Sequence, residues 1–123
     1  MNPSAILIWN VRGLNKIDRC NAVRDSARVD VVCLQETKMV DVSRFLVLRM
    51  LGPAFDNFVF LPSVGASGGI LVAWNNSIGI CAGSRVDDHS VSVNFHSSTS
   101  PPWWLTCVWS AREPREDSVF AIS

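Results

Sequence analysis

Val31-Val32-Cys33-Leu34-Gln35-Glu36 is an apolar run that stops at an amide and a carboxylate, and Ala5-Ile6-Leu7-Ile8-Trp9-Asn10 has the same form near the start of the chain. Continuous apolar runs with β-branched members mark strands buried on both faces, as in a sheet covered on each side. Between the two runs, Ile17, Cys20, Ala22, Val23 and Ala27 recur at mixed three- and four-residue spacings among mainly charged neighbours. That is the pattern of an amphipathic helix over 17–29, decorated by Arg19, Arg24 and Arg28. Strand, helix, strand predicts a parallel pair with a right-handed crossover, which puts both strand ends on one edge of the sheet. Asn10 and Glu36 then converge.

Beyond this unit, residues 41–51 predict a helix with Asp41 as N-cap and Gly52-Pro53 as its stop. After it the grammar changes. Phe58–Leu61, Gly69–Trp74, Ile78–Arg85, Val91–Phe95 and Trp103–Trp109 are short β-rich segments separated by Asn75-Asn76, Asp87-Asp88 and residues 97–102, which are turn signals. Alternation puts Val91, Val93 and Phe95 on one face, and Trp103, Leu105, Cys107 and Trp109 on another. The segments together predict antiparallel hairpins, and these two alternating strands predict burial on one side. Pro114 to Ser123 is expected to begin a helix, with Glu113, Glu116 and Asp117 favourable near its N-terminus.

With 123 residues, 48% apolar content, 18% charge and a mean hydropathy of +0.21, the chain is expected to form one domain with a filled core, far from the disordered class. Basic and acidic residues balance at 11 each, so net charge leaves no footprint for nucleic acid. The halves differ: residues 1–50 hold 8 basic and 5 acidic side chains, residues 51–123 hold 3 and 6. Cys20, Cys33, Cys81 and Cys107 show no metal or redox spacing and are expected to be reduced core residues. The apolar run at 5–9 is too short for a signal-peptide core or a membrane span, so an intracellular chain, nuclear or cytoplasmic and not secreted, is expected.

In open α/β sheets, ligands sit beyond the carboxyl ends of the strands, where Asn10 and Glu36 stand. A carboxylate there suits a hard divalent ion such as Mg²⁺, which takes oxygen ligands and often only one or two protein carboxylates. Position alone leaves open an Asx turn at Asn10 and a helix cap at Glu36. Gly65-Ala66-Ser67-Gly68-Gly69 reads as a tight lead into a strand, since no Lys-Ser/Thr pair follows to make a phosphate loop. His89 and His96 have no metal-ligand partner near them in sequence and read as ordinary polar residues.

Read as words, Ile8-Trp9-Asn10-Val11-Arg12-Gly13-Leu14, then Leu34-Gln35-Glu36-Thr37-Lys38, then Ser67-Gly68-Gly69-Ile70-Leu71-Val72-Ala73-Trp74 resemble, in order and spacing, the first motifs of the endonuclease/exonuclease/phosphatase superfamily. The wording is most similar to the endonuclease domain of plant LINE-type (non-LTR) retrotransposons. The resemblance implies an α/β fold, the N-terminal half of a two-sheet, DNase I-like sandwich, with residues 1–123 a partial domain truncated at the C-terminus. It implies a Mg²⁺- (or Mn²⁺-) dependent phosphodiesterase that takes DNA, with Glu36 as metal ligand and Asn10 near the scissile phosphate. Arg12, Ser67 and Gly68 become phosphate or nucleic-acid contacts. Arg12 stands where cellular repair relatives carry Asp, and Trp109 stands where relatives carry a Tyr whose hydroxyl an indole cannot replace.

The family's Gly-Asp-Phe-Asn and Ser-Asp-His words, which supply the water-activating groups, occur nowhere in the sequence. The resemblance therefore implies a domain that is inactive as it stands. Two other readings accompany it: a non-catalytic nucleic-acid-binding or interaction remnant, and a phosphoester phosphatase of the same superfamily. A half-sandwich would also leave an apolar sheet face uncovered, an invitation to self-association.

Overall fold

The two apolar runs form β1 (Ser4–Asn10) and β2 (Val31–Gln35), paired in parallel as expected, with Asn10 beside Gln35. The computed structural model describes residues 4–11, 18, 21, 25, 29–64, 68–108 and 118–122. Within the expected 17–29 helix, Asp18, Asn21 and Asp25 are helical, and the other positions lie outside the described residues.

Helix α1 (Arg44–Leu51) begins later than the sequence suggests. Ser43, not Asp41, is the N-cap: its side chain accepts from Leu46 N at 3.1 Å, as a cap hydroxyl does for an orphan donor. Gly52, at φ 93, ends the helix as expected and its N–H returns to Leu48 O at 2.9 Å. Val47 and Leu51, four residues apart, are buried, and Asn21 Nδ2 donates to the carbonyl of Met50 at 2.7 Å.

The hairpin grammar is borne out. β3 (Asn57–Leu61) and β4 (Ile70–Trp74) pair antiparallel, and β4 joins β2 antiparallel. A 3₁₀ turn over Asn76–Ile78 leads to β5 (Ile80–Val86), β6 (Ser90–His96) and β7 (Trp103–Val108), a second antiparallel sheet with a bulge between Cys81 and Gly83. β8 (Ser118–Ile122) corrects the expected C-terminal helix: it pairs antiparallel with β1. A helix of that length has too few hydrogen bonds to stand alone, whereas the free side of β1 offers a row of backbone partners. The first sheet therefore has the order β3-β4-β2-β1-β8 and the second β5-β6-β7.

Alternation divides the core into two layers. Leu7, Trp9, Val11, Val32, Leu34, Leu71 and Ala73 face α1 with Val47, Leu51 and Phe55. Ile6, Val31, Cys33, Ile70, Val72 and Trp74 face Val91, Val93, Phe95 and Cys107 of the second sheet. Phe95 locks the layers, edge-on to Trp74 with ring centres 5.2 Å apart and 4.9 Å from the ring of Trp103. The mixed α/β, two-sheet fold is thus as expected, but the uncovered face is not. Among the described residues, β1, β2 and β4 are covered on both faces, because residues 80–108 already build the partner sheet and fold back over them. The expected bare face is therefore not the inner one, and it is the outer face of the second sheet that stays exposed. The large exposed apolar side chains of the second sheet are Ile80, Val86, Trp104 and Val108. Cys33 and Cys107 are buried free thiols as expected, whereas Cys81 is exposed on edge strand β5; Cys20 lies outside the described residues.

Candidate functional site at the strand ends

Asn10 closes β1 and points to the same side as Ile6 and Ile8, toward the second sheet. It is 7% exposed. Val11 N donates to Gln35 O at 3.0 Å, which carries the parallel ladder one step past the strand and fixes the two ends side by side. Glu36 follows Gln35, and extended backbone would send it to the opposite face from Gln35. Instead its φ is 53, in the left-handed region that few non-glycine residues adopt. The turned carboxylate accepts from Asn10 Nδ2 at Oε2, at 2.5 Å.

Left-handed backbone at a non-glycine residue costs about 1–3 kcal/mol and persists only where neighbours over-determine it. Here the neighbours are the Gly68-Gly69 pair before β4. Thr37 N donates to Gly69 O at 3.2 Å and Lys38 N to Gly68 O at 2.9 Å, with Lys38 itself at φ 57. Gly68 and Gly69 have φ of 83 and 94, and a Cβ on Gly69 would run into Thr37 Oγ1 and lie 3.1 Å from Lys38 N. Only glycine fits there. Thr37 is 2% exposed, and Ser63 N, after β3, donates to Met39 O at 2.8 Å. The second sheet reaches the same edge through Gln35 Nε2, which donates to Val108 O at 2.8 Å.

The structure thus brings together Asn10 and Glu36, with Gly68 bracing the turn through its backbone. Arg12, Ser67 and Trp109 lie outside the described residues. Sequence reasoning missed Gln35, Thr37 and Gly69 as builders of the site. The doubled glycine carried a signal, but the positive φ at Glu36 had none. Among the described residues, no group of three His, Cys, Asp or Glu side chains could hold a metal ion. A half-buried carboxylate steadied by an amide nevertheless fits an ion that keeps most of its water and takes a single protein carboxylate.

A two-sheet sandwich carries an amide and a carboxylate at the ends of its parallel strands, and the sequence itself matches a known family. The endonuclease/exonuclease/phosphatase family model covers residues 7–116, and the chain belongs to that family. Among solved structures, it is similar to the AP endonuclease LMAP from Leishmania major, with 20% identity, a TM-score of 0.62, and coverage of 89% of this chain and 41% of that one. It is similar also to the Xenopus laevis APE2 catalytic domain, at 17% identity and a TM-score of 0.57, over 89% of this chain and 46% of that one. The 3' phosphatase NExo (D146N) from Neisseria, bound to a product DNA hairpin, matches at 16% identity and a TM-score of 0.52, over 75% of this chain and 37% of that one. At these identities the likeness is one of fold. The chain spans less than half the length of these structures. No curated protein matches. Among the described residues, no helix is long and apolar enough to cross a membrane.

Proposed function

We propose that the Asn10–Glu36 pair is the metal-binding side of a DNA phosphodiesterase site, of the kind found in the endonuclease domain of LINE-type retrotransposons, and that residues 1–123 alone have little or no nicking activity. The observation that carries this reading is the hydrogen bond from Asn10 to a carboxylate held in a left-handed turn at the carboxyl ends of two parallel strands. Family membership and the DNA-processing names of the similar structures support a DNA substrate. The W-N-x-R-G-L and L-Q-E-T-K wording supports the retrotransposon origin. A nuclear or cytoplasmic location belongs to the same reading.

Glu36 would hold a divalent metal ion, Mg²⁺ or Mn²⁺ in this reading. When bound, such an ion offsets charge developing on the phosphoryl oxygens. Asn10 holds the carboxylate in one rotamer and, at the rim between the sheets, faces the scissile phosphate. Arg12, Ser67 and Gly68 would contact the nucleic-acid backbone, Arg12 through the two-pronged match of guanidinium to phosphate. What this sequence does not contain is the family's Gly-Asp-Phe-Asn and Ser-Asp-His groups, which would activate water.

A supercoiled-plasmid assay with Mg²⁺, comparing the chain with Glu36→Ala, tests the reading. The expected result is no Glu36-dependent nicking alongside Glu36-dependent Mn²⁺ binding. Robust nicking lost in Glu36→Ala would overturn the inactivity, and Mn²⁺ binding that ignores Glu36 would overturn the site. A non-catalytic nucleic-acid-binding remnant is the second reading, favoured by the lack, among the described residues, of any group of three His, Cys, Asp or Glu side chains that could hold a metal ion. It requires salt-dependent DNA binding without cleavage.

A further inference from the structure

Gln35 stands where both sheets meet the site edge. Its backbone pairs with Asn10 of β1 and Ile70 of β4, and its carbonyl accepts from Val11 N at 3.0 Å. Its side chain leaves the first sheet altogether: Nε2 donates to Val108 O at 2.8 Å, on the last residue of β7. Deeper in, Cys33, on the same face of β2 as Gln35, meets the inward-facing Cys107 of β7 in the core between the sheets. The hydrogen bond of the Cys33 thiol with Cys107, reinforced by burial, holds that thiol well above its ordinary pKa. The seam between the sheets is therefore closed at two successive levels, and Gln35 makes the outer one.

Glu36 is the next residue, and it leaves the strand through a left-handed turn. Any roll of β2 at Gln35 is passed directly to the carboxylate. We propose, on the reading of Glu36 as the metal ligand, that Gln35 is a positioning residue whose amide latches the end of β2 to the end of β7 and so fixes where the Glu36 carboxylate points. Thr37 and Gly69 hold the turn from the β4 side; Gln35 holds it from the second sheet.

Partners that orient a metal ligand commonly contribute about 10–100-fold in metal affinity, and Gln35 acts through the adjoining backbone, so about tenfold is expected. The test is a titration of the intact chain with Mn²⁺, followed by electron paramagnetic resonance of the free ion. Gln35→Met keeps the side-chain length without the donor, and Gln35→Asn keeps the amide without the reach; each is expected to weaken Mn²⁺ binding about tenfold. Leu105→Val, on the inner face of β7, serves as a packing control that lowers the melting temperature and leaves Mn²⁺ affinity unchanged. If both Gln35 variants bind Mn²⁺ as the parent does, or if Leu105→Val weakens binding as much as they do, the positioning role is overturned while Glu36 keeps its role. If the parent and Glu36→Ala bind alike, the reading of Glu36 fails and the positioning role falls with it.

Discussion

The two ends of the central sheet are both closed by polar residues, but by different means. At the end away from the site, Asp30, Asn75 and Ser77 satisfy one another: Asn75 Nδ2 donates to Asp30 Oδ1 at 3.0 Å, Ser77 Oγ to the same oxygen at 3.1 Å, and Ser77 N to Asn75 Oδ1 at 2.9 Å. Asn75 N also donates to Asp30 O at 3.1 Å. Asx and turn chemistry suffices there, and the left-handed residue at that end is a glycine, Gly79. At the site end, the two left-handed non-glycine residues, Glu36 and Lys38, are braced by two left-handed glycines to aim one carboxylate at one amide. A strand end that needs only closure uses relaxed turns, whereas one that must aim a side chain stores strain.

The largest effect is expected where both ends depend on the same support. Phe95 is wholly buried against Trp74 and Trp103, and Phe95→Ala should cost about 3–5 kcal/mol in urea denaturation, loosening both ends together. Retention of native stability would mean that the second sheet does not brace the first.

Next comes a pair of glycines that share a backbone angle. Gly69 and Gly52 have φ of 94 and 93, but a Cβ on Gly52 meets nothing within 4 Å. Gly52→Ala should therefore cost only the left-handed penalty, about 1–2 kcal/mol. Gly69→Ala adds overpacking against Thr37 and should cost about 3 kcal/mol, with loss of the turn that aims Glu36. Equal destabilisation of the two variants would show that the close approach at the site end yields freely.

This contrast marks how far the sequence could be read. β1 and β2 were legible because burial on both faces leaves uninterrupted apolar runs, and the convergence of Asn10 with Glu36 followed from parallel pairing. The hairpins were legible from alternation, as the inward Val91, Val93 and Phe95 show. The N-cap shifted from Asp41 to Ser43 because two cap-forming residues lie close together and tertiary packing of Val47 and Leu51 sets the phase. β8 was missed because pairing with β1 is a long-range gain that a local reading of 118–122 cannot contain. The aim of Glu36 was hidden for the same reason: its φ is set by Gly68 and Gly69, distant in sequence.

Removing an acceptor at the relaxed end should be felt as stability alone. Asp30→Ala leaves Asn75 Nδ2 without its charged acceptor, while Ser77 Oγ keeps Asn75 Oδ1, and should cost about 2 kcal/mol, with Mn²⁺ affinity at the other end unchanged. The seam between the sheets should add a pH dependence. Cys107 and burial keep the proton on Cys33 in the folded chain, while unfolded thiols release theirs near about pH 8.5, so stability should fall as pH rises above that value. Cys33→Ala should flatten this slope in urea midpoints measured across the alkaline range; an unchanged slope would assign it to other groups.

The smallest effect on stability is expected at Glu36, and it decides between the two kinds of strand end. Glu36→Gln keeps an acceptor for Asn10 Nδ2 and gives up only the charge assistance of that bond, about 0.5 kcal/mol for a half-buried pair. The same change replaces an anionic oxygen donor by a neutral amide, so saturable Mn²⁺ binding should disappear while the fold persists. Little change in stability with loss of the ion is the signature of a residue held for what it binds. Were the outcome reversed, with about 2 kcal/mol lost and the ion still bound, Glu36 would be a closing residue of the Asp30 kind, and the strained turn would serve only the sheet.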